Sequence, residues 1–574
     1  MSNRLLSMSL PHVQASGAAL AFYPARLWRA PRSPQAVVLV LSLWLLLTCN
    51  WPLWLRLPHL DGYHGSTAML VLRLAPLGFS CILLLLSLTA WPRGMKPLWL
   101  LLLVIAACTQ YFMLAYGTVM DRGMIGNMLQ TDLRESRDLF NPALLLQVLL
   151  FAGPPVLWLW PLQITRARTQ TRNLARTLGL AAGAAALLAA SIFISYSELA
   201  PVVRNNLWLR HMLNPVNPVL AAMDTALTPL LRPRRPFVSI TGGAALGASY
   251  AAGNKPPLFV IVVGETARAA NWGLNGYERD TTPELARRQV LSWSQVSSCG
   301  TSTRESVPCM FSSLGKDGFY SARAEHDNLV DVLQAAGLAV LWLDNQAGCK
   351  GVCDRIPFAD TADRLQTADG KALCSADGEC LDQMLLSGLD QRIAALDPVR
   401  RARGVVLILH QMGSHGPAYY KRSTPETKVF QPECRTNALA SCSREQVVNV
   451  YDNSIRYNDL FLSQTIDWLA RQQSRYQAGM LYVSDHGESL GEMGIYLHGL
   501  PYAMAPAEQK HVPMVAWLGE LGQRSRISEP CMRERLDMPL SHDNLFHSVL
   551  GLLDVQSPSY QRPLDAFSTC RQGS

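Results

Sequence analysis

Charged side chains are scarce in this 574-residue chain: Asp, Glu, Lys and Arg make up 16% of it, against about 25% in an average soluble protein. Hydrophobic residues make up 49%, so the chain has enough apolar side chains to fold and is not disordered. The mean hydropathy of +0.10 averages an apolar first third with an ordinary globular remainder. The apolar first third and the globular remainder therefore belong to different structural classes.

Two further absences narrow the class of protein. No two cysteines are spaced as Cys-x-x-Cys, which argues against a zinc ribbon. No small-residue cleavage site follows the first apolar run, so this run is not read as a removable signal peptide.

Five apolar runs lie in the first third of the chain, each about as long as the twenty residues that cross a bilayer as a helix. They are residues 36–55, 68–91, 98–117, 142–162 and 178–195. Buried helices of a large soluble core are the alternative interpretation. The distribution of charge between the runs argues against it.

Basic residues cluster in alternate connections of these runs, whereas acidic residues balance the basic ones in the others. The clusters contain Arg26, Arg29, Arg32, Arg93, Lys96, Arg166, Arg168, Arg172 and Arg176. Because Lys and Arg beside a membrane span stay cytoplasmic, we expect a cytoplasmic amino terminus and an outward position for everything after Tyr196. Much of the net charge of +8 then belongs to cytoplasmic Arg clusters, which anionic lipid would attract. This charge does not require a nucleic-acid partner.

Ten of the thirteen cysteines lie in the outward part. Eight of them are close neighbours, a pattern typical of disulfides that staple loops in an oxidising compartment. Proximity pairs Cys299 with Cys309, Cys349 with Cys353, Cys374 with Cys380, and Cys434 with Cys442, and leaves Cys531 and Cys570 as a long-range fifth pair.

From residue 255 onward, short apolar runs alternate with helical patterns, which predicts a largely parallel sheet covered on both faces. The predicted strands are residues 258–265, 338–345, 404–415, 480–488 and 512–518, and the predicted helices are residues 328–336, 381–396 and 451–471. Ligand sites in such sheets lie just beyond the carboxyl ends of the strands. We therefore expect Glu265, Asp485 and His486 to meet in one crevice, and we expect Asp344 to be a surface loop charge.

These three side chains combine carboxylate with imidazole, which is a ligand set for a divalent metal. Zinc fits the set best, and manganese and calcium stay open on ligand types alone. His415 and His498 lie in Gly-rich turns and are candidates for binding a second metal or a substrate phosphate. Each of these two histidines by itself would more often be structural.

The segment CGTSTRESVPC, residues 299–309, offers hydroxyl nucleophiles at Thr301, Ser302, Thr303 and Ser306. Ser302 and Glu305 match a capping box, which would place Thr303 in the first turn of a helix, where free N–H groups favour a bound phosphate. A metal-bound hydroxyl also loses its proton more easily. Pro308 would limit this helix to a single turn. A polar loop that only carries a disulfide is an equally acceptable interpretation.

Several long motifs resemble those of the lipid A phosphoethanolamine transferases, the family that includes the enzymes of intrinsic and mobile colistin resistance. They are VVGETARAANWGLNGYERDTTPEL, SCGTSTRESVPCMFS, GCKGVCDRIP, HQMGSHGPAYY, YDNSIRYNDLF and SDHGESLGEMGIYLHGLPYA. The resemblance spans nearly the whole chain. It implies an α-helical transmembrane domain and an α/β periplasmic domain of alkaline phosphatase or sulfatase-like fold, in the inner membrane of a Gram-negative bacterium.

The domains expected on this basis are a cytoplasmic tail at residues 1–35, a five-helix transmembrane domain at 36–196, a bridging segment at 197–254 and a catalytic domain at 255–574. Arg204, Trp208 and Arg210 in the bridging segment suit an interfacial helix. The first thirty residues have no obvious counterpart in the family.

The resemblance also implies site residues. One zinc ion, or two, is implied, with a zinc site of Glu265, Thr303, Asp485 and His486 in which Thr303 accepts phosphoethanolamine. The residues implied to surround the transferred phosphate or a second zinc are Lys350, His415, Glu488 and His498.

A further set, Asn127, Thr131 and Glu135, matches the family positions associated with the donor lipid headgroup. Their spacing of four would place them on one helical face. A solvated interfacial helix is the alternative. Arg304 and Glu305 depart from the family pattern, in which small apolar residues follow the threonine; Arg304 would either contact phosphate or reach solvent.

The implied reaction moves phosphoethanolamine from phosphatidylethanolamine to Thr303 and then to a lipid A phosphate, which would lower the affinity of the cell surface for polymyxin and colistin. A transferase of the same fold acting on a core sugar, a periplasmic glucan or a protein is one alternative. A non-catalytic membrane lipid-binding protein is another, and the complete set around Thr303 argues against it.

Overall fold

A computed structural model describes residues 31–60, 65–90, 95–165, 169–231, 235–251, 255–376 and 378–572. The expected cytoplasmic tail lies outside the described residues up to position 30, as do Arg26, Arg29, Arg93, Arg166 and Arg168. A helical part extends to Leu231, and an α/β part begins at Pro257.

Ten helices form the described portion of the first part. They are Pro34–Trp44 (α1), Trp51–Arg56 (α2), Thr67–Leu88 (α3), Met95–Ala115 (α4), Arg122–Gln130 (α5), Leu133–Leu139 (α6), Pro142–Phe151 (α7), Gly153–Leu159 (α8), Gln170–Asn205 (α9) and Val216–Leu231 (α10). Helices α3, α4 and α9 are long and apolar enough to cross a membrane, and α7 with α8 would be a fourth span bent by 44°. The apolar helix Pro34–Cys49 is shorter. It ends in a π-helical turn, Leu45–Cys49, and a separate helix, α2, begins after Asn50.

Helix α9 differs from the prediction at its carboxyl end. It continues ten residues beyond the predicted end of the fifth apolar run, because Leu199 and Val202 are buried against residues of α2 and α3 and prolong its apolar face. Arg204 therefore lies in the last turn of α9, and Trp208 and Arg210 lie in the short 3-10 helix Leu207–His211. The three residues thus belong to two consecutive helical elements and not to one helix.

One eight-stranded sheet organises the second part. Its strands are Pro257–Gly264 (β1), Leu291–Ser297 (β2), Ala339–Asp344 (β3), Phe358–Asp360 (β4), Val405–His410 (β5), Gln477–Ser484 (β6), His511–Trp517 (β7) and Leu540–Ser541 (β8). The order across the sheet is β8-β2-β7-β6-β1-β5-β3-β4. Strand β7 is antiparallel to both of its neighbours, and the other pairings are parallel. The five predicted strands correspond to β1, β3, β5, β6 and β7.

The central strands are apolar throughout because both faces of the sheet are covered. Along β1, Phe259, Ile261 and Val263 enter one buried cluster, and the alternate residues enter the cluster on the opposite face. Strands β2, β4 and β8 are not predicted from the sequence. Strands β4 and β8 are short, and β2 contains polar residues such as Ser294 and Gln295.

Helices flank the sheet on both sides. They are Pro283–Arg287 (α11), Thr303–Met310 (α12), Gly315–Ser321 (α13), Leu329–Ala335 (α14), Ala368–Leu373 (α15), Leu389–Ala394 (α16), Pro398–Arg403 (α17), Arg444–Gln472 (α18), Gly519–Arg524 (α19), Glu529–Arg533 (α20) and Asp543–Leu552 (α21). The helix predicted at 381–396 is interrupted, because Gly388 adopts a left-handed conformation with φ of 66° between the 3-10 helix Asp382–Leu386 and α16. Five disulfides link cysteines of the loops: four join the pairs predicted from sequence proximity, and the fifth joins the remaining long-range pair, Cys531 and Cys570.

A buried ion-pair network joins the two parts. Asp138 of α6 is 3% exposed and lies 2.5 Å from Lys421 Nζ and 2.8 Å from Arg422 Nη2. Glu379 also contacts both cations, at 3.0 and 3.3 Å. The network fixes α6 against the loop that follows β5.

Replacing Asp138 by asparagine is expected to destabilise this contact by about 2 kcal/mol. Removing one partner of a buried pair costs about 3–5 kcal/mol, and Glu379 retains part of the interaction with Arg422. Hydrogen exchange of α6 and thermal unfolding of the full-length protein in detergent measure the effect. Asp224→Asn is the matched control, because its pair with Arg122 is half exposed and is worth about 0–1 kcal/mol. Equal behaviour of the two variants would show that the buried network does not hold the parts together.

Candidate active site

Two adjacent parallel strands place the central carboxylates side by side. Gly264 at the end of β1 is paired with Ser484 at the end of β6, so Glu265 and Asp485 leave the sheet at the same level. His486 follows directly. All three side chains are fully buried, and their ligand atoms lie within 4.8 Å of one another.

Thr303 is the first residue of α12 and points its hydroxyl at this cluster. Its Oγ1 lies 3.0 and 3.2 Å from the two carboxylate oxygens of Glu265 and 3.4 Å from Nε2 of His486.

Helix α12 differs from the expectation in two ways. The Ser302 side chain makes no capping hydrogen bond, so the predicted capping box is wrong; the backbone N–H of Glu305 is bonded to the Ser302 carbonyl instead. The helix also has eight residues with Pro308 inside it, because proline costs it one internal hydrogen bond without ending it. Ser306 anchors the helix through a 2.5 Å bond from its Oγ to the Asp485 carbonyl.

The electrostatics of the cluster fit a bound cation. Burial raises the pKa of Asp485 to about 7, and the neighbouring charge of Glu265 adds to the effect. Burial also raises the pKa of Glu265 and lowers that of His486. Oδ2 of Asp485 is buried without a hydrogen-bond partner. Two buried carboxylates and a neutral imidazole with a free ligand atom are costly without a compensating positive charge, which a divalent metal would supply.

A second group of ligand types lies alongside. Glu265, His415 and His498 have ligand atoms within 4.8 Å of one another, and the His498 ring is 4.4 Å from the His486 ring. Glu488 Oε1 lies 3.1 Å from Nδ1 of His498. Burial lowers the pKa of His498, but Glu488 and the other carboxylates outweigh it and raise the pKa to about 9; burial holds the pKa of His415 well below its usual value.

Residues of the helical part complete the site. Nε2 of Gln346 donates to Oε1 of Glu135 at 3.1 Å and to Oε2 of Glu265 at 3.2 Å, so it links the two carboxylates. Burial raises the pKa of Glu135 to about 7. His415 Nε2 is 3.9 Å from Glu135. The carboxylate of α6 therefore reaches the edge of the metal-ligand cluster.

The three residues matched to the donor headgroup do not share one helix. Asn127 is in α5, Thr131 caps it in an extended conformation with ψ of 128°, and Glu135 is in α6. The prediction of one helical face is wrong, because the chain turns at Thr131, where Asp132 caps the next helix. All three nevertheless line the same cavity.

The prediction that Asp344 is a surface loop charge is also wrong. Asp344 is fully buried, and its Oδ1 is 2.7 Å from Nδ1 of His410 and accepts from the Trp342 indole at 3.0 Å. Adjacent strands β3 and β5 place Asp344 opposite His410. The sequence shows that both residues end apolar runs, but it does not show which strands are neighbours in the sheet. Gln346, two residues further, was missed for the same reason.

A cavity of about 330 Å³ opens in front of Thr303. Both parts of the chain line it, with polar site residues and with apolar side chains. The polar lining includes Asn127, Thr131, Glu135, Thr303, Arg304, Gln346, Lys350, His415 and His498, and the apolar lining includes Phe112, Tyr116, Met120, Met124, Met128, Leu139, Phe140 and Leu144. Nζ of Lys350 donates to the Ala347 carbonyl at 2.7 Å. The cavity suits a molecule with a charged head and an apolar body.

The mixed sheet with a buried hydroxyl, carboxylate and imidazole cluster at its strand ends defines an enzyme domain of the sulfatase class, and residues 257–555 match the Sulfatase family. Residues 78–229 match the family Phosphoethanolamine transferase EptA/EptB. The chain belongs to the phosphoethanolamine transferases.

Relatives cover almost the whole chain. Phosphoethanolamine transferase EptA of Escherichia coli (strain K12) is 38% identical over 90% of this chain and 92% of its own length. Phosphatidylethanolamine transferase Mcr-1 of Escherichia coli is 37% identical over 92% of this chain and 96% of its own. The solved structure of the integral membrane lipooligosaccharide phosphoethanolamine transferase A from Neisseria meningitidis superposes with a TM-score of 0.87 at 35% identity, covering 94% of this chain and 99% of that one. The α-helical part followed by a sulfatase-like α/β domain is thus the family architecture.

Proposed function

We propose that this protein transfers phosphoethanolamine from phosphatidylethanolamine to a phosphate of lipid A. The observation that carries the proposal is the Thr303 hydroxyl, which lies 3.0 Å from Glu265 and lines a cavity that has both charged and apolar side chains in its wall. The names of the relatives support phosphoethanolamine transfer, and a more distant relative is named for Kdo(2)-lipid A.

The site belongs at a membrane surface, because both substrates are lipids. We place the helical part in the inner membrane with five spans, Pro34–Cys49 and the bent pair α7 with α8 included, and with the amino terminus cytoplasmic. The α/β domain is then periplasmic, where its disulfides are stable.

Zinc is the proposed metal, held by Glu265, Asp485, His486 and the Thr303 hydroxyl, and a second ion would be held near His415 and His498. Bound zinc supplies Lewis acidity and makes a coordinated hydroxyl easier to ionise. The hydrogen bond from Thr303 to Glu265 orients Oγ1 toward the cavity. Lys350, His415, Glu488 and His498 surround the phosphate position, while Asn127, Thr131 and Glu135 contact the ethanolamine headgroup of the donor.

The reaction has two half-reactions at one residue. Thr303 Oγ1 attacks the donor phosphorus, the bond from phosphorus to the glycerol oxygen breaks, and diacylglycerol leaves with the proton that Thr303 gives up. A phosphate oxygen of lipid A then attacks phosphoethanolamine-Thr303, the bond from Oγ1 to phosphorus breaks, and Thr303 is reprotonated. The product carries an ammonium group on a formerly anionic phosphate, so cationic peptides such as polymyxin and colistin bind the surface less well.

Mass spectrometry of lipid A from cells that express the chain tests this function. We expect a phosphoethanolamine adduct on lipid A that is absent from cells with an empty vector. The same extracts should be examined for adducts on core sugars, periplasmic glucans and proteins. An adduct confined to one of these would reject lipid A as acceptor, and no adduct anywhere would favour a non-catalytic lipid-binding protein.

A further inference from the structure

Arg304, the residue after the proposed nucleophile, is a half-buried cation on the wall of the cavity. Among the described residues, its guanidinium makes no hydrogen bond and has no carboxylate at ion-pair distance. Two other lining residues that can carry positive charge already have partners: Lys350 donates to the Ala347 carbonyl, and His498 lies beside Glu488. The donors of Arg304 are therefore unused in the wall of a cavity that Thr303 also lines.

Two glycines of α5 determine where Arg304 lies. A Cβ at Gly126 would be 2.4 Å from Cζ and Nη1 of Arg304, and a Cβ at Gly123 would be 3.3 Å from Oε1 of Glu305. The guanidinium thus packs directly on the backbone of α5, next to Asn127. Its position is fixed by packing between the two parts of the chain, and no carboxylate among the described residues forms an ion pair or hydrogen bond with it.

A phosphate must come within bonding distance of Thr303 Oγ1 in both half-reactions, and the nearby groups already include three carboxylates, Glu135, Glu265 and Asp485. These carboxylates carry three formal negative charges, of which the proposed Zn²⁺ would offset two, so a further cation facing the phosphate favours its binding. A planar guanidinium with unused donors is the side chain best matched to phosphate oxygens.

We propose that Arg304 binds a phosphate group of a lipid substrate beside Thr303. This inference rests on the proposed function. It makes Arg304 a substrate-binding residue of this particular chain, held against Gly126 so that its donors face the reacting phosphate. The phosphate can belong to the donor or to the acceptor, and the two half-reactions distinguish them.

The test uses full-length protein in liposomes and follows each half-reaction separately. Diacylglycerol release from phosphatidylethanolamine without acceptor reports the first, and adduct formation on lipid A reports the second. Arg304→Met removes the charge and keeps the stem, and we expect it to lower kcat/KM of the affected half-reaction by about 10- to 100-fold, the effect of losing a charge-assisted hydrogen bond. Arg304→Lys should recover part of the loss, because it restores the positive charge but not the planar pair of donors.

Arg122→Met is the matched control, since it also removes one guanidinium at α5, but Arg122 pairs with Asp224 at the surface and does not line the cavity; it should leave both half-reactions within about twofold. Reduced diacylglycerol release by Arg304→Met assigns the donor phosphate, and loss confined to adduct formation assigns the acceptor phosphate. Wild-type rates in Arg304→Met, or a loss that Arg304→Lys does not recover, would show that Arg304 only packs on Gly126 and would overturn the proposal.

A measurement of lipid binding in a variant that cannot react distinguishes this inference from the proposed function. In a Thr303→Ala background, adding Arg304→Met should weaken the equilibrium binding of phosphatidylethanolamine or of lipid A in nanodiscs by a similar factor. An inactive wild type with Arg304-dependent lipid binding would refute the transfer reaction and keep the phosphate contact. Unchanged binding of both lipids would refute the contact.

Discussion

Thr303→Ala is expected to lower the transfer rate by at least about 10³-fold, since loss of the nucleophile removes the covalent route altogether. Two neighbouring hydroxyls have other partners: Thr301 donates to the Leu500 carbonyl at 2.6 Å, and Ser306 donates to the Asp485 carbonyl. Ser302 also lines the cavity and is tested separately. The measurement is adduct formation on lipid A by purified protein, together with mass spectrometry of the peptide that carries Thr303 after reaction with donor alone. That peptide should carry phosphoethanolamine in the wild type and not in the variant.

Two variants control for disturbance of the loop. Ser302→Ala changes the adjacent hydroxyl, which makes no capping hydrogen bond, and should stay within about twofold of wild type. Thr303→Ser keeps the attacking oxygen and should retain measurable transfer. Normal transfer by Thr303→Ala, or an adduct on another residue, would refute the nucleophile assignment.

Removal of the metal is expected to abolish transfer and to reverse how stability depends on pH. In the metal-free protein, the pKa of Asp485 is raised by burial from 3.8 to about 7. Between these values, the native state holds a proton that the unfolded state has released, so the free energy of unfolding falls as pH rises from about 4 to about 7. Bound metal replaces that proton and should stabilise the protein by about 4 kcal/mol when free metal exceeds its Kd about 1,000-fold.

Thermal unfolding of dialysed and zinc-loaded protein from pH 5 to 7.5, with metal analysis of each sample, measures both effects. Asp485→Asn is the matched variant, because its amide oxygen can still accept the backbone bonds that Oδ1 receives from Thr266 and His486. It should lose metal and activity, and its metal-free form should be less sensitive to pH. Full metal retention by Asp485→Asn would exclude this side chain as a ligand.

The strands and the metal-ligand candidates could be read from local sequence. Apolar runs predict β1, β3, β5, β6 and β7 because buried parallel strands contact apolar neighbours on both faces. Glu265, Asp485 and His486 stood out because each follows such a run. Thr303 could be singled out only as one of several hydroxyls, since its distance to Glu265 depends on how α12 packs against the sheet.

The misassigned residues share a physical cause. Asp344 was expected at the surface because a lone aspartate usually is, yet the pairing of β3 with β5 buries it against His410. Asn127, Thr131 and Glu135 were assigned one helical face because spacing alone cannot show that Thr131 turns the chain. In both cases the decisive contact lies far away in sequence.

What the sequence by itself determined is therefore chemical and local: apolar runs of membrane length, buried strands, neighbouring cysteines, and the side chains at strand ends. Tertiary structure alone decided which of these meet. Glu135 reaches Gln346 across 211 residues, and Arg304 lies on Gly126. Such contacts depend on the packing of the helical part against the sheet domain, a property of the whole fold that no single segment of the chain encodes.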